Sequence, residues 1–369
     1  MRWALTSLVL LGCSGSSGGD DTAVPPIDCT SSGQICTFAG TGDRGWGDDG
    51  GQASDTTLFL PTDLAFDLDD QPLIVDYNNM RVLRAEPDGT VHTIIGMGVH
   101  AYASVEVDAL QTPLENPVSM VVGSDGTYYV NEQHGARILR VVDGWLDVYA
   151  GSATEPGIES WTGDGGPALE AGLSQSVGLT IADDDTLYIG DTRNHCLRVV
   201  HPDGTIDALA GNGERLLVDG VGAEASFDGP QHLAWHDGYL YVADTGNHAV
   251  RRVDTATGEV TTLAGTGAPG FSGDGGPASG AQLDTPQGVA VDAEGRVFIA
   301  DSENHVIRRI DTDGTITSWA GTPGVADYTG DGGPRDEATL HWPVNVRVGP
   351  DGTVYVLDTL NSVIRQIAP

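Results

Sequence analysis

The chain has 369 residues and a formal net charge of −36, because 53 acidic side chains stand against 17 basic ones, all of them arginine. Such a charge argues against nucleic acids and anionic membrane surfaces as ligands, since both are recognised through clusters of Lys and Arg. The 52 glycines and 19 prolines separate short apolar runs rich in Val, Ile, Leu and Tyr, which favours an all-β protein.

The N-terminal residues have the pattern of an export signal. Met1 and Arg2 precede a short apolar stretch that ends in Leu-Leu-Gly-Cys at residues 10–13. This ending resembles the lipobox of bacterial lipoproteins, which implies a signal peptide over residues 1–12 and a lipid on Cys13. The polar segment 13–33 then serves as a flexible tether. The resemblance predicts an exported protein anchored in a membrane by its lipid, on the periplasmic or cell-surface side; the alternative is an ordinary signal peptide with an incidental cysteine.

Export makes disulfide bonds possible for the remaining cysteines. Cys29 and Cys36 are close enough in sequence to close a small loop, and we expect them to be bonded to each other. Cys196 falls in a predicted strand, where a lone cysteine behaves as a small buried apolar side chain.

An internal repeat predicts the fold. A strand ending in Ala-Gly, or once in Ile-Gly, recurs every 54 to 60 residues, with the glycines at positions 40, 96, 151, 211, 265 and 321. Each interval holds four short apolar runs joined by turns rich in Asp, Asn and Gly, the composition of tight hairpins. Four antiparallel strands, here named a to d, in a radially repeated unit form a propeller blade. Residues 34–369 are therefore predicted to form a six-bladed β-propeller.

The two ends of this propeller complement each other. After Gly321 only three strands remain, and the missing outer strand is found at residues 34–40, which match the other Ala-Gly strands. We expect one N-terminal strand to complete the last blade beside three C-terminal ones, an arrangement that hides two strand edges.

The turns between strands b and c identify a family resemblance. They read DYNNM, DTRNHC, DTGNHA, DSENHV and DTLNSV, and a glycine-rich segment, AGTGAPGFSGDGGPA, occupies residues 264–278. These segments resemble NHL repeats of the kind found in teneurins and in many bacterial repeat proteins. The resemblance covers residues 37–369 and implies the propeller, while it implies little about function. The recurring Asp and Asn are explained by the turns themselves, because their side chains bond nearby backbone amides.

Two groups of residues are candidates for a metal site. Six-bladed relatives such as gluconolactonases and amidating lyases carry a metal at the channel mouth, where Asp63, His232 and Asn345 are expected here. The second group is the acids of the Gly-Asp-Gly-Gly loops, Asp164, Asp274 and Asp331, which suit Ca²⁺. The alternative for these loop acids is a structural turn that spaces the blades.

Strand direction places the long d–a loops and the b–c turns on one face of the propeller, named here the long-loop face. The sequence predicts that this face binds a protein or a glycan, with Tyr102 and Trp161 as exposed aromatic contacts and the loop acids Asp164, Asp274 and Asp331 as polar ones. The alternative for either aromatic ring is that it packs onto its own loop. Two alternatives remain open at this point: a metal-dependent hydrolase or lyase with its site at the channel mouth, and a structural scaffold lipoprotein.

Overall fold

The computed structural model describes residues 31–152 and 160–369, which form a six-bladed β-propeller. In each blade the strands are antiparallel and run from a at the centre to d at the rim. Within the described residues, no helix has the length and hydropathy that a membrane crossing requires.

The strand bounds follow the predicted repeat. Strands a to d are Pro61–Phe66, Pro72–Asp76, Arg81–Ala85 and Val91–Ile95 in blade 1, and Pro117–Val122, Tyr128–Glu132, Arg137–Val142 and Trp145–Ala150 in blade 2. They are Leu179–Ile181, Leu187–Asp191, Cys196–Val200 and Thr205–Ala210 in blade 3, and Pro230–His236, Tyr239–Asp244, Ala249–Asp254 and Glu259–Ala264 in blade 4. They are Pro286–Val291, Val297–Asp301, Val306–Ile310 and Thr315–Ala320 in blade 5, and Pro343–Val348, Val354–Asp358, Val363–Ile367 and Gln34–Ala39 in blade 6.

The predicted closure of the ring is confirmed. Strand Gln34–Ala39 pairs antiparallel with Val363–Ile367, with Ile35 opposite Ile367 and Thr37 opposite Arg365. The N-terminal strand therefore supplies the outer edge of the blade whose other three strands come from the C-terminus.

The four predicted strands are present in every blade, and the rim carries an addition. Five blades carry a fifth, two-residue strand on the outer edge of strand d, formed by Val107–Asp108, Gly166–Pro167, Gly220–Val221, Gly276–Pro277 and Gly333–Pro334. In blade 1 the same place holds a single bridge between Gln52 and Thr90. Each d–a loop thus runs down the rim of the following blade and covers an edge that would otherwise expose unpaired backbone groups.

Short 3₁₀ turns connect these pieces. Five lie in the b–c turns, at Tyr77–Asn79, Thr192–Asn194, Thr245–Asn247, Ser302–Asn304 and Thr359–Asn361. Five follow the covering segments of the d–a loops, at Ala53–Asp55, Ala109–Gln111, Ala168–Glu170, Gly222–Glu224 and Ala278–Gly280.

The hydrophobic core is divided among the gaps between neighbouring blades. Between blades 1 and 2, for example, Leu73 and Val75 pack in one cluster with Met120 and Val130. This distribution is expected where each repeat buries its apolar face against the next one.

Candidate functional site

A buried arginine lies at the centre of every blade, on strand c. These side chains are almost fully buried, and each pairs with the acid at the end of strand b: Arg81 with Asp76, Arg137 with Glu132, Arg198 with Asp191, Arg251 with Asp244, Arg308 with Asp301 and Arg365 with Asp358. A buried charge needs such a partner. The turn acids therefore hold the fold together, as the sequence indicated, although the sequence analysis did not identify their arginine partners.

The acids of the Gly-Asp-Gly-Gly loops bind the same arginines from the other side. Oxygens of Asp164, Asp274 and Asp331 lie 2.6, 2.5 and 2.5 Å from the guanidinium groups of Arg198, Arg308 and Arg365. The prediction treated these acids as free to bind a ligand or Ca²⁺. In the structure each carboxylate forms an ion pair with a buried arginine, which supports the alternative of a structural turn. Binding of Ca²⁺ by these acids stays a prediction.

Three histidines of the b–c turns join neighbouring blades. His195, His248 and His305 accept, through Nδ1, the backbone N–H of Gly229, Thr285 and Trp342 in the following blade. Each histidine has a left-handed backbone, with φ between 49° and 57°. Their recurrence therefore reflects the contact between blades.

The structure brings the predicted channel-mouth residues together. Nδ2 of Asn345 donates to Oδ1 of Asp63 at 2.8 Å and lies 3.2 Å from Nδ1 of His232. All three side chains are buried. Burial lowers the pKa of His232 to about 4, so its ring is neutral at neutral pH and accepts the bond from Asn345.

A fourth residue, absent from the prediction, changes what this cluster can do. Arg347 donates two hydrogen bonds to Asp63, from Nε at 2.7 Å and from Nη2 at 2.9 Å. The guanidinium bonds to both oxygens that Asp63 could offer to a metal, and it already neutralises the carboxylate. The predicted metal site at Asp63, His232 and Asn345 therefore does not fit this geometry, and the hydrolase or lyase alternative gains no support from it.

The positions that correspond to Asp63 in blades 3 and 5 are glycines for steric reasons. A Cβ on Gly178 would lie 2.1 Å from the carbonyl oxygen of Gln231, and one on Gly288 would lie 2.5 Å from Cα of Asn345. The innermost strands of adjacent blades thus approach too closely for any side chain there.

The two aromatic residues predicted to be exposed on the long-loop face, Tyr102 and Trp161, differ in how much of their surface is exposed. Tyr102 is 46% exposed, as expected. Trp161 is only partly exposed, because its indole Nε1 donates to Asp164 at 3.1 Å within its own loop. This contact within its own loop agrees with the alternative for Trp161, and a role for its ring in binding stays a prediction.

The loop that carries Tyr102 and the loop before blade 1 hold further exposed apolar side chains that the sequence did not reveal. Met97 and Val99 are 48% and 46% exposed, and Trp46 of the preceding loop is 50% exposed. A Cβ on Gly98 would lie 2.5 Å from the ring of Trp46, so this indole lies against the backbone between Met97 and Val99. Trp46, Met97, Val99 and Tyr102 together are named here the blade 1–2 patch.

A groove lies on the opposite face. It has a volume of about 430 Å³ between blades 1 and 6, and its wall includes Phe38, Phe66 and Tyr355. The rings of Phe38 and Phe66 lie 5.2 and 5.6 Å from that of Tyr355. These aromatic side chains pack on one another, so the groove has a wall formed by the core between the two blades.

The cysteines divide into two kinds. Cys36 is disulfide-bonded, while Cys196 is free and buried. Cys13 and Cys29 lie outside the described residues, so the lipid on Cys13 and the pairing of Cys29 with Cys36 stay predictions.

Comparisons with known proteins identify the family. The model of the teneurin NHL domain matches residues 35–228 and 265–327. Teneurin-m of Drosophila melanogaster is 28% identical over 354 residues, which cover 86% of this chain and 12% of teneurin-m. The chain spans only 12 to 22% of the length of the curated relatives that it matches.

Two solved structures share the fold at low sequence identity. An auxiliary nutrient binding protein from Bacteroides thetaiotaomicron has a TM-score of 0.65 at 16% identity, covering 90% of this chain and 76% of its own. A gluconolactonase from Xanthomonas campestris has a TM-score of 0.56 at 16% identity, covering 90% of this chain and 89% of its own. With the family model matched over more than half of its residues and the repeat visible in its blades, the chain belongs to the teneurin NHL domain family of NHL-repeat β-propellers.

Proposed function

We propose that this chain is an exported, lipid-anchored binding module that recognises a protein partner through the blade 1–2 patch on its long-loop face. The observation that carries the proposal is the patch itself. Trp46, Met97, Val99 and Tyr102 each leave 46 to 50% of their surface in water, and they belong to two loops in direct contact.

Contiguous exposed apolar side chains on a soluble surface mark a site of interaction. Other loop residues predicted to bind serve the fold: Asp164, Asp274 and Asp331 pair with buried arginines, and Trp161 bonds to its own loop. The loop that contains Met97 and Tyr102 lacks the Gly-Asp-Gly-Gly sequence, so its residues are free of that structural task.

The composition of the patch favours a protein over a glycan. Sugars are usually held by aromatic stacking combined with several polar groups, whereas Met97 and Val99 add flexible and branched aliphatic surface. Aromatic residues and methionine are enriched at the centres of protein interfaces. The name of the nutrient binding protein that shares this fold agrees with a binding role, and a glycan ligand is an outcome that the experiment below distinguishes.

Export and anchoring rest on the sequence alone. The Leu-Leu-Gly-Cys segment at residues 10–13 followed by a Ser- and Gly-rich stretch supports lipidation of Cys13. Replacing Cys13 by Ser should move the protein from the membrane fraction to the soluble fraction without changing the melting temperature of the propeller. An unchanged distribution would refute the anchor.

The patch is tested by site-specific photo-crosslinking in cells that produce the full chain. A photoreactive phenylalanine analogue at position 102 should give a discrete protein adduct. Adding an excess of the wild-type domain should reduce the amount of this adduct, and adding the Met97→Ala/Tyr102→Ala double variant should reduce it less. The matched control is position 145, because Trp145 is 57% exposed but begins strand d of blade 2 at the opposite face.

The possible results separate the candidate functions. An adduct at position 102 but not at 145 supports the proposal. Adducts at 145 alone would place binding on the hairpin face, and binding of purified protein to a glycan array that requires Tyr102 would replace the protein partner by a sugar. The absence of adducts at both positions would favour the scaffold role.

A further inference from the structure

We infer that His100, Glu115 and His134 form a binding site for a divalent transition-metal ion of the zinc class on the long-loop face of blade 2. Nε2 of His100 lies 3.0 Å from Oε1 of Glu115, and Nδ1 of His134 lies 3.7 Å from the same oxygen. Each residue presents a ligand atom within 4.8 Å of the other two. This site is separate from the channel-mouth residues and does not depend on the proposed partner.

The donor set and its spacing suit zinc. Two imidazole nitrogens and one carboxylate are ligands that Zn²⁺ prefers, and they occupy three positions of a tetrahedral site. With metal–nitrogen bonds of about 2.0–2.1 Å, tetrahedral ligand atoms are separated by roughly 3.3 Å. The two distances to Glu115 lie on either side of this value, so small side-chain rotations are enough to converge on one ion. Ca²⁺ prefers oxygen ligands and is a poor match.

The equivalent positions in other blades hold an acid and one histidine. The position of Glu115 is Asp228 in blade 4 and Asp284 in blade 5, and each of those acids faces one histidine from the preceding blade, at 3.6 and 3.4 Å. In blade 1 the residue equivalent to those histidines is Met80. Glu115 instead receives two histidines, one from its own d–a loop and one from the b–c turn of blade 2. Blade 2 therefore holds a pair of imidazoles at a position where blades 4 and 5 hold one.

The backbone around the ligands is fixed. The N–H of Glu115 donates to the buried carboxylate of Glu132 at 2.8 Å. Leu114 exchanges backbone hydrogen bonds with Val99 and Ala101, the residues on either side of His100. Two of the three ligands are thus held in register before any ion binds, which reduces the entropy lost on binding.

The surroundings leave one coordination position toward solvent. The side chains of His100 and His134 are 55% and 43% exposed, whereas that of Glu115 is 14% exposed. Oδ1 of Asn116 lies 2.9 Å from Nε2 of His100 and adds a polar oxygen beside the site. Three protein ligands with a fourth position open to water is the arrangement that lets zinc accept a further ligand from outside. An ion here also joins the d–a loop that carries the blade 1–2 patch to the b–c turn of blade 2.

The test uses the full-length chain in detergent after treatment with a chelator. Titration with Co²⁺ should produce visible absorption typical of tetrahedral coordination, and Zn²⁺ should displace it with one equivalent per chain. His100→Ala and His134→Ala should each weaken Zn²⁺ binding at least tenfold, measured by competition with a chromogenic chelator. Zn²⁺ should also raise the melting temperature of the wild type but not of these variants, because an ion that binds only the folded state stabilises it.

The matched control is His201→Ala. His201 is 43% exposed and pairs with Asp207 at 3.3 Å, but it belongs to no three-ligand group among the described residues. This variant should bind Zn²⁺ like the wild type. Glu115→Gln, which preserves the side-chain volume and the backbone bond to Glu132, tests the third ligand if an alanine variant fails to fold. The inference would be overturned if micromolar Zn²⁺ did not bind, if all variants bound Zn²⁺ equally, or if the chain bound Ca²⁺ selectively.

Discussion

Arg347 and Asp63 are 284 residues apart, yet the guanidinium of one binds both oxygens of the other at 2.7 and 2.9 Å. Asp63 lies on the innermost strand of the first blade and Arg347 on that of the last. Nη1 of Arg347 also donates to the carbonyl of Leu233 in blade 4, at 3.4 Å. One side chain thus connects three blades at the centre of the ring.

Replacing Arg347 by Met should destabilise the propeller by about 3 kcal/mol or more, because it leaves the buried carboxylate of Asp63 without its cation. Urea denaturation followed by far-ultraviolet circular dichroism measures the loss. Adding Asp63→Asn should recover part of it, since the uncompensated charge disappears. The control is Arg215→Met, which removes a 56% exposed partner of Asp228 and should cost less than about 1 kcal/mol. A similar cost for both single variants would contradict this role for Arg347.

The buried ring of His232 should make stability fall as the pH is lowered. Burial lowers its pKa to about 4 in the folded chain, whereas an unfolded histidine has a pKa of about 6.5. Between these values the unfolded state binds a proton that the folded state does not, so stability decreases with decreasing pH. At about pH 5 the contribution lost is roughly 2 kcal/mol.

The corresponding variant is His232→Gln. Its loss of unfolding free energy between about pH 7.5 and about pH 5 should be smaller than that of the wild type by roughly 2 kcal/mol. His201→Gln, which removes a half-exposed imidazole, serves as the comparison for the substitution itself. Equal pH dependence of His232→Gln and the wild type would show that the folded ring titrates freely.

The sequence predicted the blades because their signals are local. The Ala-Gly endings, the Asx turns and the alternation of apolar residues each lie within one strand or one hairpin. The closing strand Gln34–Ala39 was also predictable, since it repeats the sequence of the other outer strands. These features need no knowledge of which distant residues meet.

The contacts between distant residues were not predictable in the same way. Arg347 meets Asp63 through ring closure, and 53 acidic side chains offered many other pairings. The sequence left two alternatives for the Gly-Asp-Gly-Gly loops, a Ca²⁺ site or a structural turn, because the arginine that pairs with each loop acid comes 34 residues later on strand c. The cluster of His100, Glu115 and His134 joins a d–a loop to the b–c turn of blade 2, and His134 has no histidine counterpart at its position in the other blades.

Thiol chemistry tests the cysteine assignments. In a Cys13→Ser variant purified without reductant, no thiol should react with iodoacetamide under native conditions, because burial both shields Cys196 and raises the pKa of its thiol well above the ordinary value. One thiol should react after denaturation, and three after denaturation with reductant. Mass spectrometry should assign the single thiol to Cys196 and the bridge to Cys29 and Cys36. Three reactive thiols in the denatured protein before reduction, or label on Cys29, would contradict the pairing.

The b–c turn of blade 2 offers a sharper test of how the repeat tolerates change. In blades 1, 3, 4, 5 and 6 an asparagine donates to the turn aspartate and to a carbonyl of the d–a loop, as Asn194 does to Asp191 and Ser160. Blade 2 has Gly135 in place of this asparagine and Glu132 in place of the aspartate. The longer Glu132 reaches the loop by itself and accepts the N–H of Ala103 at 3.0 Å.

The two departures in blade 2 compensate for each other, so they should be coupled in stability. A Cβ on Gly135 would lie 2.6 Å from Oε2 of Glu132, which predicts that Gly135→Asn alone costs about 1–3 kcal/mol. Glu132→Asp alone withdraws the carboxylate from the N–H of Ala103 and should also destabilise. Together the changes restore the turn of the other blades, and a double-mutant cycle in urea should give a favourable coupling of at least about 1 kcal/mol. The reverse pair in blade 3, Asp191→Glu with Asn194→Gly, should couple in the same sense. If the losses of unfolding free energy were additive in both blades, Gly135 and Glu132 would not compensate for each other.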